Sequence, residues 1–139
     1  MANFSNYYRN QIVNHMLRGQ AFTVPTTVYV ALFLNDTGLQ ANSGVTGEVS
    51  GAGGYERKAL TLSEATTPAG DSDNTLVEWD AATADWGTVA YVAIVDHETN
   101  TDWGTDVNVL MWDALVTSKN IQTNDIFRLP AGNLEVEIR

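Results

Sequence analysis

The sequence predicts a mainly β protein, a jelly-roll-like β-sandwich of about seven or eight short strands preceded by one N-terminal amphipathic helix. Three observations predict it. Helical spacing of apolar residues governs the first eighteen positions. After Pro25 the apolar runs turn β-branched and aromatic, as strands require. Clusters of Gly, Asn, Asp and Pro then punctuate those runs at intervals typical of a sandwich.

The helix is expected over about residues 4–18. Phe4, Tyr8, Ile12 and Met16 repeat every four residues, and Val13 and Leu17 widen the stripe. Ser5 is the expected N-cap and Gly19 the stop. The polar face carries Asn6, Arg9, Asn10 and Asn14. Pro25 ends any helical option. The next run, Thr26 to Leu34, is apolar on both faces, so it is expected to be central or covered on both sides, with the helix as one cover.

Residues 35–54 are small, polar and rich in glycine, which suits a long flexible arm and partner contact; disorder in the free subunit is the alternative. Further strands are expected at Tyr55–Ser63, Leu76–Trp79, Trp86–Asp96, Val107–Leu115 and Asp125–Leu129, with loops at Thr66–Asn74 and Asp96–Asp106. On Trp86–Asp96, Val89, Tyr91, Ala93 and Val95 should share one face, opposite Ala90, Val92 and Ile94. Pro130-Ala131-Gly132-Asn133 is a turn. The last strand points Leu134, Val136 and Ile138 inward and Glu135, Glu137 and Arg139 outward. Residues 1–139 form a single domain, with the sandwich spanning about 26–139. Asp85-Trp86-Gly87-Thr88 recurs as Asp102-Trp103-Gly104-Thr105, which reads as two sheet corners: indole as cover, glycine as bend.

Composition narrows the function. The 139 residues include no cysteine, which excludes disulfides, thiolate zinc sites and cysteine nucleophiles. Seventeen acidic residues against seven basic ones give a net charge of −10, and the cations are scattered, so neither nucleic acid nor an anionic membrane is an expected partner. No apolar run approaches the ~20 residues that span a bilayer. The N-terminus lacks a basic start and a continuous apolar stretch, so no signal peptide is expected, and synthesis is expected in a host cytoplasm.

No motif assembles a reaction. His15 lies on the helix and His97 in a polar turn, neither with a serine elbow to serve; Gly47 to Gly51 misses that pattern by one place. Glu78 with Asp80, and Glu135 with Glu137, are same-face carboxylates that read as solvated surface. The oxygen-rich loops at 71–74 and 96–106 lack the EF-hand order, so calcium is a secondary possibility there. Gly51-Ala52-Gly53-Gly54 precedes a strand and has no Walker lysine. Trp79 and Trp112 read as core, and Trp86 and Trp103 as interface or corner. The chain is expected not to be an enzyme and to have no catalytic, cofactor-binding or metal-ligating residues.

The order of segments carries a resemblance. Gly19-Gln20-Ala21-Phe22-Thr23-Val24-Pro25 follows the helix, and Val28-Tyr29-Val30-Ala31-Leu32-Phe33 comes next. Then come Glu48-Val49-Ser50-Gly51-Ala52-Gly53-Gly54-Tyr55-Glu56-Arg57, Ala82-Thr83-Ala84-Asp85-Trp86-Gly87-Thr88-Val89 and Leu115-Val116-Thr117-Ser118-Lys119. Together they resemble a family of small tailed-phage structural proteins, labelled capsid decoration (cement) or tail fibre proteins. The stretch from Asp96 to Asn108 is longer and more acidic than the family pattern. The resemblance implies a virion component with a β-sandwich fold and no enzymatic activity. Its first implication is a trimeric cement protein on the capsid exterior, clamping major capsid protein subunits. A tail fibre or baseplate subunit touching host glycans through Trp86 and Trp103 is the alternative, and a calcium- or carbohydrate-binding module is a third. The expected partner-contact elements are the helix and residues 35–54, and the expected contact residues are Tyr7, Tyr8, Leu39, Val45, Val49, Tyr55, Trp86 and Trp103.

Overall fold

In the computed structural model, residues 3–65 and 71–137 are described. One antiparallel sheet organises them. Its strands are β1 (Asn3–Phe4), β2 (Val28–Phe33), β3 (Lys58–Leu60), β6 (Gly87–Val95) and β7 (Val109–Ile121), in the spatial order β1-β7-β6-β2-β3. Two ribbons face it: β4 (Asp71–Asp73) with β9 (Glu135–Glu137), and β5 (Val77–Glu78) with β8 (Arg128–Leu129). The protein is thus mainly β and sandwich-like, with two short ribbons as the second layer.

β2 shows why the sheet is covered twice. Val30 and Leu32 point into the main core, while Ala31 and Phe33 point into a second cluster. The main core lies between sheet and ribbons. Leu32, Ile94 and Met111 from the sheet share it with Trp79, Phe127 and Leu129 from the ribbon side. Trp79 meets Phe127 edge-to-face at 5.3 Å. Each such side chain, once buried, contributes roughly 1.5–3 kcal/mol. On the other face, Leu39, Val107 and Trp103 from loops cover Phe33 and Val95. The expected double cover is present, but loops supply the second cover, and the helix residues Tyr7 and Tyr8 pack on the main-core side.

The β6–β7 ladder slips twice, and the larger slip reassigns faces on β6. Val89 pairs with Lys119, yet Tyr91 pairs with Ala114. Residues 115–118 therefore bulge out of register, and the alternation of β6 changes phase. Val89 joins Val92 and Ile94 in the main core instead of sharing a face with Ala93 and Val95. The bulge also carries β7 to Ile121, beyond the expected end at Leu115.

Three further expectations change. Residues 35–54 are folded back onto the sheet, where the sequence suggested a flexible arm. Leu39 is fully buried, and Val49 N–H donates to the Leu32 carbonyl at 3.0 Å. Asn42 takes a left-handed backbone (φ 56°), accepts from Val109 N–H at 2.7 Å and donates to Asn108 Oδ1 at 2.8 Å. Asp71–Asp73 forms a strand where a loop was expected; the rest of that loop up to residue 70, like Ile138 and Arg139, lies outside the described residues. Asn74, at the end of β4, ties the ribbons together by accepting from Leu134 N–H at 2.9 Å and donating to the Leu129 carbonyl at 3.3 Å.

The helix is present as expected, and the packing of its far end is the third change. α1 covers Asn6–Ile12 and continues as a π-helical turn, Val13–Leu17. Ser5 caps it: its Oγ accepts from Tyr8 N–H at 3.1 Å and donates to the Val109 carbonyl. Phe4 and Tyr8 pack inward, but the π turn breaks the 3.6-residue spacing, and the far end of the expected stripe stands clear of the body.

Candidate interaction surface

The polar side chains with the richest connections in the body serve the fold. Arg57 is a buried cation on the chain segment entering β3. Its Nε and Nη2 donate to the two Glu48 carboxylate oxygens at 2.7 and 2.8 Å. Its Nη1 donates to the carbonyls of His97 and Asn100 at 2.9 and 2.8 Å. The guanidinium carbon lies 4.9 Å from the Trp103 ring centroid. Tyr55 completes the network, donating to Glu48 at 3.0 Å and accepting from Leu32 N–H at 3.0 Å. Burial, and then the nearby Glu48 carboxylate, push the Tyr55 phenol well above its ordinary range. Burial, and then Asp96, raise Tyr7 too. Each guanidinium nitrogen of Arg57 donates to a protein acceptor, so the network holds loops against the sheet.

Other polar side chains near the loops are engaged in the same manner. The Asp96 carboxylate accepts from Asn108 N–H at 2.6 Å and from Asn108 Nδ2 at 2.9 Å. His97 Nδ1 accepts from the backbone of Thr99 and Asn100. Glu78 pairs with Arg128 at 3.1 Å. Among the described residues, no three His, Asp or Glu side chains converge to hold a metal ion, and no helix is long and apolar enough to cross a membrane.

The expected contact residues divide into two groups. Leu39, Val49, Tyr55 and Trp86 are buried in the protein's own cores, so none of them presents a surface to a partner in this conformation. Trp86 is 5% exposed, with Tyr55 edge-to-face at 5.6 Å and its Nε1 proton donated to the Gly53 carbonyl at 2.9 Å, so burial denies its ring to a sugar. Tyr7, Tyr8, Val45 and Trp103 are half-buried and pack against the cores. Trp103 packs 6.0 Å from Phe33 beneath Arg57. The corner reading of the two Trp-Gly pairs fits better: Gly87 and Gly104 adopt φ values of 92° and 86°, open to glycine and strained for other residues.

The exposed apolar surface lies elsewhere. Residues 13–24 protrude from the body with Val13 47%, Met16 69%, Leu17 80% and Val24 65% exposed. The helical periodicity did mark Val13, Met16 and Leu17; it could not say that their stripe would lack a cover. A second apolar feature, a groove of about 560 Å³, runs between β7 and β8. Leu115, Ile121, Phe127 and Leu129 line it, and exposed Val116 and Ile126 stand at its rim. The sequence pointed to Leu115–Lys119 only as a segment of the family resemblance and gave no sign of a groove, whose wall includes the out-of-register residues 115–117.

No curated protein matches this sequence. One family does, and it is described as Podophage GP4 fiber I protein gp80, matching residues 3–137. That span includes the capping serine, the protruding segment, the nine strands of the described residues and the bulge. With nearly the whole chain matched, the protein belongs to this podophage fibre family, a family of phage structural proteins.

Proposed function

We propose that the chain is a non-enzymatic virion subunit that works by packing against copies of itself within a phage fibre. One observation carries this reading: four apolar side chains stand exposed on a single protruding segment, whereas the buried polar side chains Ser5, Asn42, Arg57 and Asn74 are all hydrogen-bonded within the protein. Among the described residues, no buried side-chain nitrogen or oxygen lacks a hydrogen-bond partner. A body satisfied within itself and an unsatisfied apolar extension suit assembly better than turnover of a small molecule. The resemblance noted from the sequence implies a trimer.

A cement role, clamping major capsid protein from the capsid exterior, would use the same surface; the family's description as fibre favours the fibre. Counting copies per purified particle by quantitative mass spectrometry, with gold-labelled antibody for position, decides between them. A handful of copies on the tail or a fibre is the expected result. Hundreds over the shell would assign the cement role, and absence from purified virions would overturn the structural reading.

A further inference from the structure

The two exposed apolar features have opposite shapes: residues 13–24 protrude, and the groove between β7 and β8 is recessed. We propose that residues 13–24 of one copy seat in this groove on a second copy of the chain. The proposal rests on the self-associating reading above and names its contact.

Charge selects the occupant. Residues 1–35 carry Arg9 and Arg18 and no carboxylate. All seventeen acidic residues lie beyond them with the other five basic ones, so the rest of the chain carries 5 − 17 = −12. Two such bodies repel one another, and a cationic segment from each laid on the other reduces that repulsion. A second copy is thus an acidic surface that the segment's charge fits.

The two ends of the groove differ in charge. Lys119 and Arg128 lie at one end, with Arg128 paired to Glu78. Past Val116 it continues into a smaller recess of about 140 Å³ bordered by Asp113 and Glu135. In the proposed contact the uncharged stretch 20–24 runs toward Lys119, and the Arg18 side chain, next to Leu17, turns back toward the acidic end. Leu17 and Met16 then cover Leu115 and Val116. The groove is also a sheet edge: β1 pairs only with Met111 and Trp112, and among the described residues no strand borders β7 beyond them on that side. Such an edge accepts an added segment of chain, and Pro25 limits how far pairing can run.

The absence of cysteine makes the test clean. Leu17→Cys and Val116→Cys are made in separate full-length copies, mixed, and treated with a short bismaleimide. Both positions are exposed in the single chain, so unchanged melting temperatures are the control for folding. A covalent dimer that needs both variants is expected, and Leu17→Asp should weaken self-association by about tenfold or more in sedimentation, because a carboxylate would be driven into an apolar groove. If the wild-type chain self-associates but the cysteine pair does not link, or Leu17→Cys links only to itself, the groove assignment is overturned while self-association stands. If the chain sediments as a monomer and Leu17→Asp still blocks incorporation into virions, the occupant is another virion protein and the second-copy proposal is overturned. A monomer whose incorporation ignores Leu17→Asp removes both the contact and the self-associating reading.

Discussion

Replacing Arg57 by alanine should unfold this protein at a markedly lower temperature. Arg57 joins segments far apart in sequence: it binds Glu48 through two oxygens, two carbonyls of the 97–100 turn, and the face of Trp103. The Arg57 side chain is 3% exposed and that of Glu48 17%, so water compensates poorly for its loss. Removing one partner of a buried pair costs about 3–5 kcal/mol, chiefly because the other charge is stranded. We expect about 4 kcal/mol, since Glu48 keeps the Tyr55 hydroxyl and some water. For 139 residues at ~2.1 cal/mol/K each, the unfolding entropy is ~0.29 kcal/mol/K, so the melting temperature should drop by about 14 °C. Arg57→Lys retains a charge but not the fork, and should lose about half as much. Glu48→Gln closes a double-mutant cycle in which the pair variant should be less destabilised than the sum of the singles by more than ~1 kcal/mol. Thermal and urea melts followed by tryptophan fluorescence supply the readout, with Trp103 as a local probe. A loss below ~1 kcal/mol for Arg57→Ala, or additive singles, would refute the reasoning and reduce the network to an ordinary surface ion pair.

Two other outcomes follow from the same interior. The Tyr55 phenol is raised in the folded state, so the folded chain keeps a proton that the unfolded chain releases near pH 10. Its contribution is complete below that pH and lost as pH rises toward the folded value. Urea midpoints should therefore fall more steeply above pH 10 in wild type than in Tyr55→Phe; parallel slopes would contradict this. Gly38→Ala should cost about 2–4 kcal/mol, because φ is +80° and a new Cβ would lie 2.3 Å from the Ser43 carbonyl oxygen, whereas Gly51→Ala, with open space, should stay within ~0.5 kcal/mol in the same melts.

The strands were legible in the sequence because their signal is local. Val28 to Phe33 and Gly87 to Val95 are β-branched and aromatic runs, and each forms its strand within two residues of the expected limits. The Trp-Gly corners were legible for a similar reason: glycine marks a backbone that other residues resist. What was hidden depends on distant partners. Leu39, Val49 and Asn42 bury an otherwise polar loop through two apolar side chains and one bridging amide, which composition cannot register. Asp71–Asp73 has poor strand propensity and gains its place from the β9 backbone, even with Asp73 opposite Glu135. The Val89 face change follows from a bulge in another strand. The contact surface was half legible: an amphipathic stripe reads the same whether its cover is the parent body or another molecule.

The Ser5 cap has a consequence for synthesis. Its hydroxyl binds the carbonyl of Val109, 104 residues further along, and β1 pairs with Met111 and Trp112. At the ribosome, this segment therefore has no docking site until β7 has left the exit tunnel. At about 5–20 residues per second, that wait lasts several seconds or more. Through it, Phe4, Tyr8, Met16 and Leu17 travel in the nascent chain without their native setting. Neighbouring chains on one polysome could thus meet through these residues before either is complete, and assembly that begins during translation would put the N-terminal segment in contact first.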